Sequence, residues 1–233
     1  MEFIQAVAEL GISLSDNKVR LLNEYADLLE EKNQVLNLTR ISREDFDTLQ
    51  ALDSLAIVKA IPTIAEAKVI DVGTGAGIPG VILKIVFPQW DITLLDSTRK
   101  KLTFLDEVIA KLRLKSIRTL HGRAEEIGRD PEYRQRFDIV TARAVTAMPS
   151  LSEWCLPLLK TGGKLVALKG ETVEDELAKS EKGIQVLGGG RPKLISYDLP
   201  GTEIHRKIVL VEKIRTTPVA YPRASTIIKN APL

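Results

Sequence analysis

The run KVIDVGTGAGIPG at residues 68–80 constrains this chain more than any other stretch. An apolar, strand-like segment leads to Asp71, and Gly73, Gly75, Gly77 and Gly80 follow within a few residues. Glycines placed after a strand let backbone N–H groups approach a ligand, and the helix that follows offers its N-terminus. A plain turn rarely needs so many positions without a Cβ. The run therefore predicts a ligand-binding loop at the carboxyl end of a first strand, with the fold built outward from one βαβ unit.

The remaining sequence supplies that fold. Short β-rich runs, KVIDV, DITLLD, SIRTLH, FDIVTAR and GKLVALK, alternate with helical patterns, which predicts a parallel sheet. Leu102, Leu105, Ile109 and Leu112 fall on one face of a helix between the second and third runs. Two late runs, KLISYDL and KIVLVEK, flank a Pro200-Gly201 turn and predict an antiparallel edge on a mostly parallel sheet. Upstream, Val19, Leu22, Ala26 and Leu29 have helical spacing, Ser42 to Asp45 resembles a capping box, and Gly11 and Pro62 punctuate the region. The expected organisation is an α/β, Rossmann-like domain at 63–213, preceded by a helical extension at 1–62 and followed by a basic tail at 214–233.

Composition narrows the partners only slightly. Lys and Arg number 33 against 31 Asp and Glu, a net charge of +2, so a polyanionic partner must be read from local patches. The best patch is the C-terminal stretch, where Lys213, Arg215, Arg223 and Lys229 occur with no acid and with Tyr221 available to stack. The single cysteine, Cys155, excludes an intramolecular disulfide and fits a reducing compartment. Acids near the N-terminus and no membrane-length apolar run give the expectation of a cytoplasmic protein, a monomer without membrane association.

Gly75, Gly77 and Gly80 satisfy the spacing of a dinucleotide loop, but Asp71 argues against a phosphate ligand. A carboxylate ~5 Å from a phosphate charge costs about 3 kcal/mol per pair at an effective dielectric of ~20. The same charge favours a cation. S-adenosylmethionine carries a sulfonium and an ammonium and no phosphate. Asp96, ending the second run, stands where an acid accepts both ribose hydroxyls, a feature shared with nicotinamide sites. Ala124 and Glu125, after the third run, are placed to meet an adenine edge, although a helix-start acid alone is ordinary.

For the methyl acceptor, the sequence excludes more than it selects. Cytosine-carbon methylation needs a thiolate, and Cys155 lies in SEWCLPLL, which reads as a packed helix. The Asn/Asp-Pro-Pro-aromatic turn associated with exocyclic amine methylation is absent, since the corresponding place reads TARAVTAMP. Neither His121 nor His205 falls in an acid–base constellation, and no metal site is expected. An acceptor that needs no proton removed, such as guanine N7, is left open by these exclusions.

Several motifs occur in one order: NLTRI from Asn37, LDSL from Leu52, DVGTGAGIPG from Asp71, LLDS from Leu94, TARA around Arg143, ALKG from Ala167, and the tail TPVAYPR with IIKNAPL. Together they resemble the glucose-inhibited division protein B family, the RsmG 16S ribosomal RNA guanine-N7 methyltransferases, over nearly the whole chain. The resemblance implies a class I S-adenosylmethionine-dependent methyltransferase fold, that donor, and a guanine N7 of small-subunit rRNA as acceptor. It also implies donor contacts from Gly73, Ile78, Asp96, Ser97, Thr98, Ala124, Glu125 and Arg143, with Asn37, Asp53 and Lys169 on the acceptor side. One departure is Gln50, where the family usually has histidine; Ile227-Ile228 replaces a frequent glycine-proline pair. Two rivals stay open at this point: a small-molecule methyltransferase on the same fold, and a non-catalytic RNA-binding assembly factor.

Overall fold

The computed structural model describes residues 2–61 and 66–233; Pro62 and the expected boundary beside it lie outside the described residues. Two helices open the chain, α1 (Phe3–Glu9) and α2 (Asp16–Leu36). Ser15 caps α2 by accepting the Lys18 N–H, and Asn37 closes it in the left-handed conformation at φ 49°. Ser42 Oγ accepts the Asp45 N–H at 3.2 Å within a turn, not as a helix cap: the helix that follows has Asp45 at its N-cap, without a side-chain cap bond. That element is a π-helical turn, Phe46–Leu52, continuing into α3 (Asp53–Leu55).

The α/β part follows as β1 (Lys68–Val72), α4 (Gly80–Val86), β2 (Asp91–Asp96), α5 (Arg99–Lys111), β3 (Ile117–His121), α6 (Ala124–Ile127), β4 (Phe137–Arg143), α7 (Met148–Cys155), β5 (Leu159–Lys169) and α8 (Glu174–Val186). β6 (Lys193–Asp198), β7 (His205–Glu212) and α9 (Ser225–Asn230) end it. The seven strands form one sheet in the order β3-β2-β1-β4-β5-β7-β6. The first five are parallel, and β7 and β6 are antiparallel, as the late hairpin-like runs predict. The order reverses beside β1, between β1 and β4, and a doubly wound sheet opens a ligand crevice at such a switch point.

Each face of the sheet is covered. One face packs β1 and β2 residues such as Val69, Ile92 and Leu94 against α4, α5 and the N-terminal helices, with Leu22, Tyr25 and Leu29 in the same apolar cluster as Val81 and Leu105. The N-terminal helices therefore share the core of the sheet. On the other face, Ile70, Val140 and Leu165 meet α6, α7 and α8 through Ile127, Leu151 and Ile184. The C-terminal segment lies along this second layer: Ile228 is fully buried, and Leu233 sits so close to Gly183 that a Cβ there would stand 2.7 Å from its side chain.

Candidate functional site

The glycine loop begins where β1 ends. The Gly73 and Thr74 N–H groups donate to the Leu95 carbonyl at 2.9 and 3.0 Å, fastening the loop to the end of β2. Gly73 has φ 69°, and a Cβ there would lie 2.8 Å from the Val145 side chain, so both conformation and space require glycine. Gly80 is needed for a different reason: a Cβ would meet Leu94 at 2.3 Å and Asp71 Oδ2 at 3.0 Å. From below, the buried Tyr25 of α2 donates to the Ala76 carbonyl at 2.7 Å, tying the helical extension to the same loop.

Asp71 holds this turn together from inside. Its Oδ2 accepts from Thr74 Oγ1 at 2.7 Å and from the Gly80 N–H at 3.1 Å, and its Oδ1 accepts from Thr141 Oγ1 at 2.8 Å. Burial pushes the carboxyl up to about 6, partly offset by these donors and by the Arg143 charge. The charge expected to face the ligand thus lies beneath the loop, fully buried.

Above the loop opens a cleft of about 340 Å³. Gly73, Asp96, Ser97, Thr98, Ala124 and Glu125 line it, together with Lys101, Arg123, Val145, Trp154, Ser225 and Lys229. Asp96 is held by the Gly75 N–H on Oδ2 at 3.0 Å and the Thr98 N–H on Oδ1 at 2.8 Å, with Lys101 Nζ 3.9 Å away. Each oxygen keeps a lone pair for a ligand. Glu125 is buried with its Oε1 unpartnered, an unusual state for a carboxylate. The strand ends thus bring Asp96 and Glu125 into one cavity although 29 positions separate them in sequence. Among the described residues, Asp71, Gly75, Gly77, Ile78 and Arg143 are not part of the cleft wall; the glycines and Ile78 shape the loop that carries Gly73.

Arg143, at the end of β4, turns toward the helical extension. Its Nη1 donates to the Leu49 carbonyl and Asp53 Oδ2, each at 2.9 Å, and its Nη2 donates to Gln50 Oε1 at 2.9 Å. Asp53, an acid in an apolar run, thus has a partner, and Tyr197 Oη and Arg206 Nε also approach its Oδ1 at 3.3 and 3.4 Å. Gln50 in turn donates from Nε2 to Thr39 Oγ1 at 3.0 Å. The uncharged amide accepts from the guanidinium as a neutral ring nitrogen would, which explains how glutamine stands at this position. Lys169 donates to the Thr146 carbonyl and Glu176 Oε2, both at 2.8 Å, and the exposed Asn37 is the C-cap already described.

The tail is docked rather than free. Arg223 is clamped on Glu153, whose fully buried carboxylate accepts from the Arg223 backbone N–H at 2.7 Å, Nε at 2.9 Å and Nη2 at 2.7 Å. Arg134 donates to the Thr217, Pro218 and Tyr221 carbonyls, and Arg129 to those of Ala220 and Pro222. Lys213 is buried on the Leu156 carbonyl at 2.5 Å and on Thr217 Oγ1, and burial lowers its ammonium to about 7. Arg215 donates to the Gln185 carbonyl at 2.6 Å. Of the four cations that the sequence offers as a polyanion patch, Lys213 is buried and Arg223 is paired with Glu153, whereas Arg215 is exposed and Lys229 lines the cleft.

Sequence reasoning missed Val145, Trp154, Ser225 and Lys229 as cleft residues. Val145 follows the end of β4 and packs over Gly73, whereas Trp154, Ser225 and Lys229 lie outside any strand-end motif and are brought in by the packing of α7 and the tail against α6. Cys155 is fully buried and its thiol is pushed up by desolvation, so it is a core residue. Among the described residues there is no cluster of His, Cys, Asp and Glu fit for a metal, and no helix is long and apolar enough to cross a membrane.

Comparison with known proteins agrees with this architecture. Residues 18–199 match the family described as rRNA small subunit methyltransferase G. A ribosomal RNA small subunit methyltransferase G of Acetivibrio thermocellus is 43% identical over 223 residues, covering 95% of this chain and 91% of that protein. One of Alkaliphilus oremlandii is 45% identical over 215 residues, covering 92% and 90%. Among solved structures, a methyltransferase from Pyrococcus furiosus superposes with a TM-score of 0.57 at 13% identity, covering 82% of this chain and 98% of that one. A precorrin-6y C5,15-methyltransferase from Geobacter metallireducens gives 0.53 at 15% identity, covering 77% and 92%, and both likenesses concern the fold alone.

Proposed function

This chain belongs to the rRNA small subunit methyltransferase G family, and from that premise we propose that it moves a methyl group from S-adenosylmethionine to N7 of a guanine in 16S rRNA. The observation that carries the reading is the cleft at the carboxyl edge of the sheet, where Asp96 and Glu125 both retain acceptor capacity. The donor has the matching groups: two ribose hydroxyls and an exocyclic amine. S-adenosylmethionine supplies an electrophilic methyl group on its sulfonium. Asp96 binds the ribose hydroxyls, Glu125 accepts from the adenine amine, and Gly73 lets the backbone come close.

Asp71 contributes through the loop it shapes and through its buried negative charge, which still favours a cation above it and disfavours pyrophosphate. Guanine N7 presents a lone pair and no proton, so placing it within ~3–3.5 Å of the methyl carbon can supply most of the acceleration without a general base. The buried Cys155 thiol offers no route to methylation of a pyrimidine carbon. On the acceptor side, Arg143 acts by fixing Leu49, Gln50 and Asp53 beside the end of β4, and Lys169 by fixing the turn at Thr146; Asn37 remains open to solvent for contact with RNA. The expected setting is the cytoplasm, with the chain acting as a monomer on the small subunit or its precursor.

The test is incubation of the protein with small-subunit particles and methyl-labelled donor, followed by nuclease mapping and by borohydride–aniline cleavage, which cuts at N7-methylated guanine. Label confined to one guanine that cleaves is the expected result. Label on another base, or none on any particle, would contradict the proposal.

A further inference from the structure

The docked tail raises a question that the strand-end residues leave open: what the far wall of the cleft recognises. That wall consists of Trp154 on α7 with Ser225 and Lys229 on α9. Its position is fixed by a continuous piece of packing. Ala124 and Ile127 of α6 share an apolar cluster with Leu151 and Cys155, and Trp154 packs against that cluster. Gly128, just after α6, lies where a Cβ would touch Pro222 of the tail at 3.2 Å and Pro157 at 3.4 Å. Glu153, the residue before Trp154, holds Arg223, two residues before Ser225. Trp154 and α9 are thereby set beside the turn that presents Ala124 and Glu125.

Two residues that line this cavity each bury a polar atom without a partner: Glu125 its Oε1, an acceptor, and Trp154 its Nε1, a donor. A buried indole N–H ordinarily finds an acceptor, and leaving one unmade carries a desolvation cost. An acceptor and a donor without partners on two residues of one cavity match a ligand edge that offers a donor next to an acceptor. Adenine has such an edge, since its exocyclic amine adjoins a ring nitrogen on either side. We propose that Trp154 is a specificity-determining residue of the donor site, its Nε1–H donating to a ring nitrogen, N1 or N7, of the donor's adenine while Glu125 accepts from the amine. The C-terminal helix closes this wall, and its Lys229 faces the same cavity. This inference rests on the donor-binding reading above and assigns the adenine contact within it.

The test is calorimetric titration of the full chain with S-adenosylhomocysteine and its 1-deaza and 7-deaza adenine analogues, in wild type and in Trp154→Phe. Wild type should bind one of the two deaza analogues about three- to tenfold more weakly than the parent, as expected for one lost hydrogen bond. Trp154→Phe should bind the parent more weakly by a similar factor and no longer distinguish that analogue. Equal affinity of wild type for all three ligands, or a deaza penalty that persists undiminished in Trp154→Phe, would overturn the proposal. Should the variant fail to fold, the indole N–H resonances of the wild-type chain, which has two tryptophans, supply the second measurement. The Trp154 signal should move downfield with the parent and less with the weaker deaza ligand; an unmoved signal at saturation would overturn the assignment. Failure of wild type to bind S-adenosylhomocysteine at all would instead count against the donor reading itself.

Discussion

The underside of the glycine loop and the wall of the cleft above it are both built around acids, yet the fold treats the two sets oppositely. Beneath the loop, Asp71 is saturated by two hydroxyls and a backbone N–H; on the far side of the sheet, Glu153 is saturated by Arg223. On the cleft wall, Asp96 accepts a single backbone N–H on each oxygen and Glu125 keeps an oxygen without a partner. Saturated acids are structural keystones, and acids left partly open mark where a ligand belongs. The distinction lies in what each carboxylate faces, since Asp71, next to last in β1, and Asp96, last in β2, stand on adjacent parallel strands.

Removing a keystone should cost stability before it costs ligand affinity, and Glu153→Ala is the strongest case. It strips the buried partner from Arg223 and should destabilise the chain by about 3–5 kcal/mol, read by urea unfolding. A loss below about 1 kcal/mol would place Glu153 with the open acids. Next comes Asp71→Asn, whose amide keeps its oxygen on Thr74 and the Gly80 N–H by turning its NH2 toward Thr141 Oγ1; with the acceptor for Thr141 and the charge in the remaining bonds lost, it should cost about 1–3 kcal/mol at neutral pH. Because the folded Asp71 carboxyl sits at about 6, above an ordinary carboxylate, the native state binds the extra proton. Stability present at low pH is therefore lost as pH rises from about 4 to 6, by roughly 3 kcal/mol for a two-unit difference. Unfolding of wild type relative to Asp71→Asn should show that decline; a difference that stays flat across the window would contradict it.

A smaller effect is expected at the seam between the extension and the sheet. Arg143→Lys keeps the charge but cannot reach Leu49, Gln50 and Asp53 together, and should cost about 1–2 kcal/mol while lowering methyl-transfer turnover. Wild-type stability and turnover in that variant would mean that charge alone suffices. The smallest expected change is Gln50→His. At pH 8 a neutral imidazole can accept from Arg143, so stability should shift by less than about 1 kcal/mol; below about pH 6.5 protonation beside the guanidinium should make the variant progressively less stable. A pH-independent effect would contradict this.

Much of the fold was legible because its signals are local. The run 68–80 announces strand, loop and helix in order, and β1, β2 and β4 coincide with the β-rich runs in the sequence. Asp96 and Glu125 were legible as cleft residues because strand ends in a parallel sheet share one edge. Asp71 was legible as important, but not as buried, since the partners that draw it under the loop include Thr141, a neighbour only through the β1–β4 pairing. The docking of the tail was not legible for the same reason: its cations carry no nearby acid in sequence, while their partners, Glu153 and the carbonyls of Leu156 and Gln185, come from α7, the turn after it and α8. Trp154 gave no signal, being one apolar residue in a packed helix that lines the cleft.

The most direct test of the division between saturated and open acids is S-adenosylhomocysteine affinity and unfolding free energy, measured together on Asp71→Asn and Asp96→Asn. Asp96→Asn has to turn its NH2 toward either the Gly75 or the Thr98 N–H, so it should lose about 1–2 kcal/mol of stability, and it should bind the ligand about ten- to a hundredfold more weakly, the loss of charge-assisted hydrogen bonds of roughly 1.5–3 kcal/mol. Asp71→Asn should show the reverse balance, with the larger change in stability. Wild-type affinity in Asp96→Asn, or a loss of affinity confined to Asp71→Asn in a chain of unchanged stability, would contradict the account.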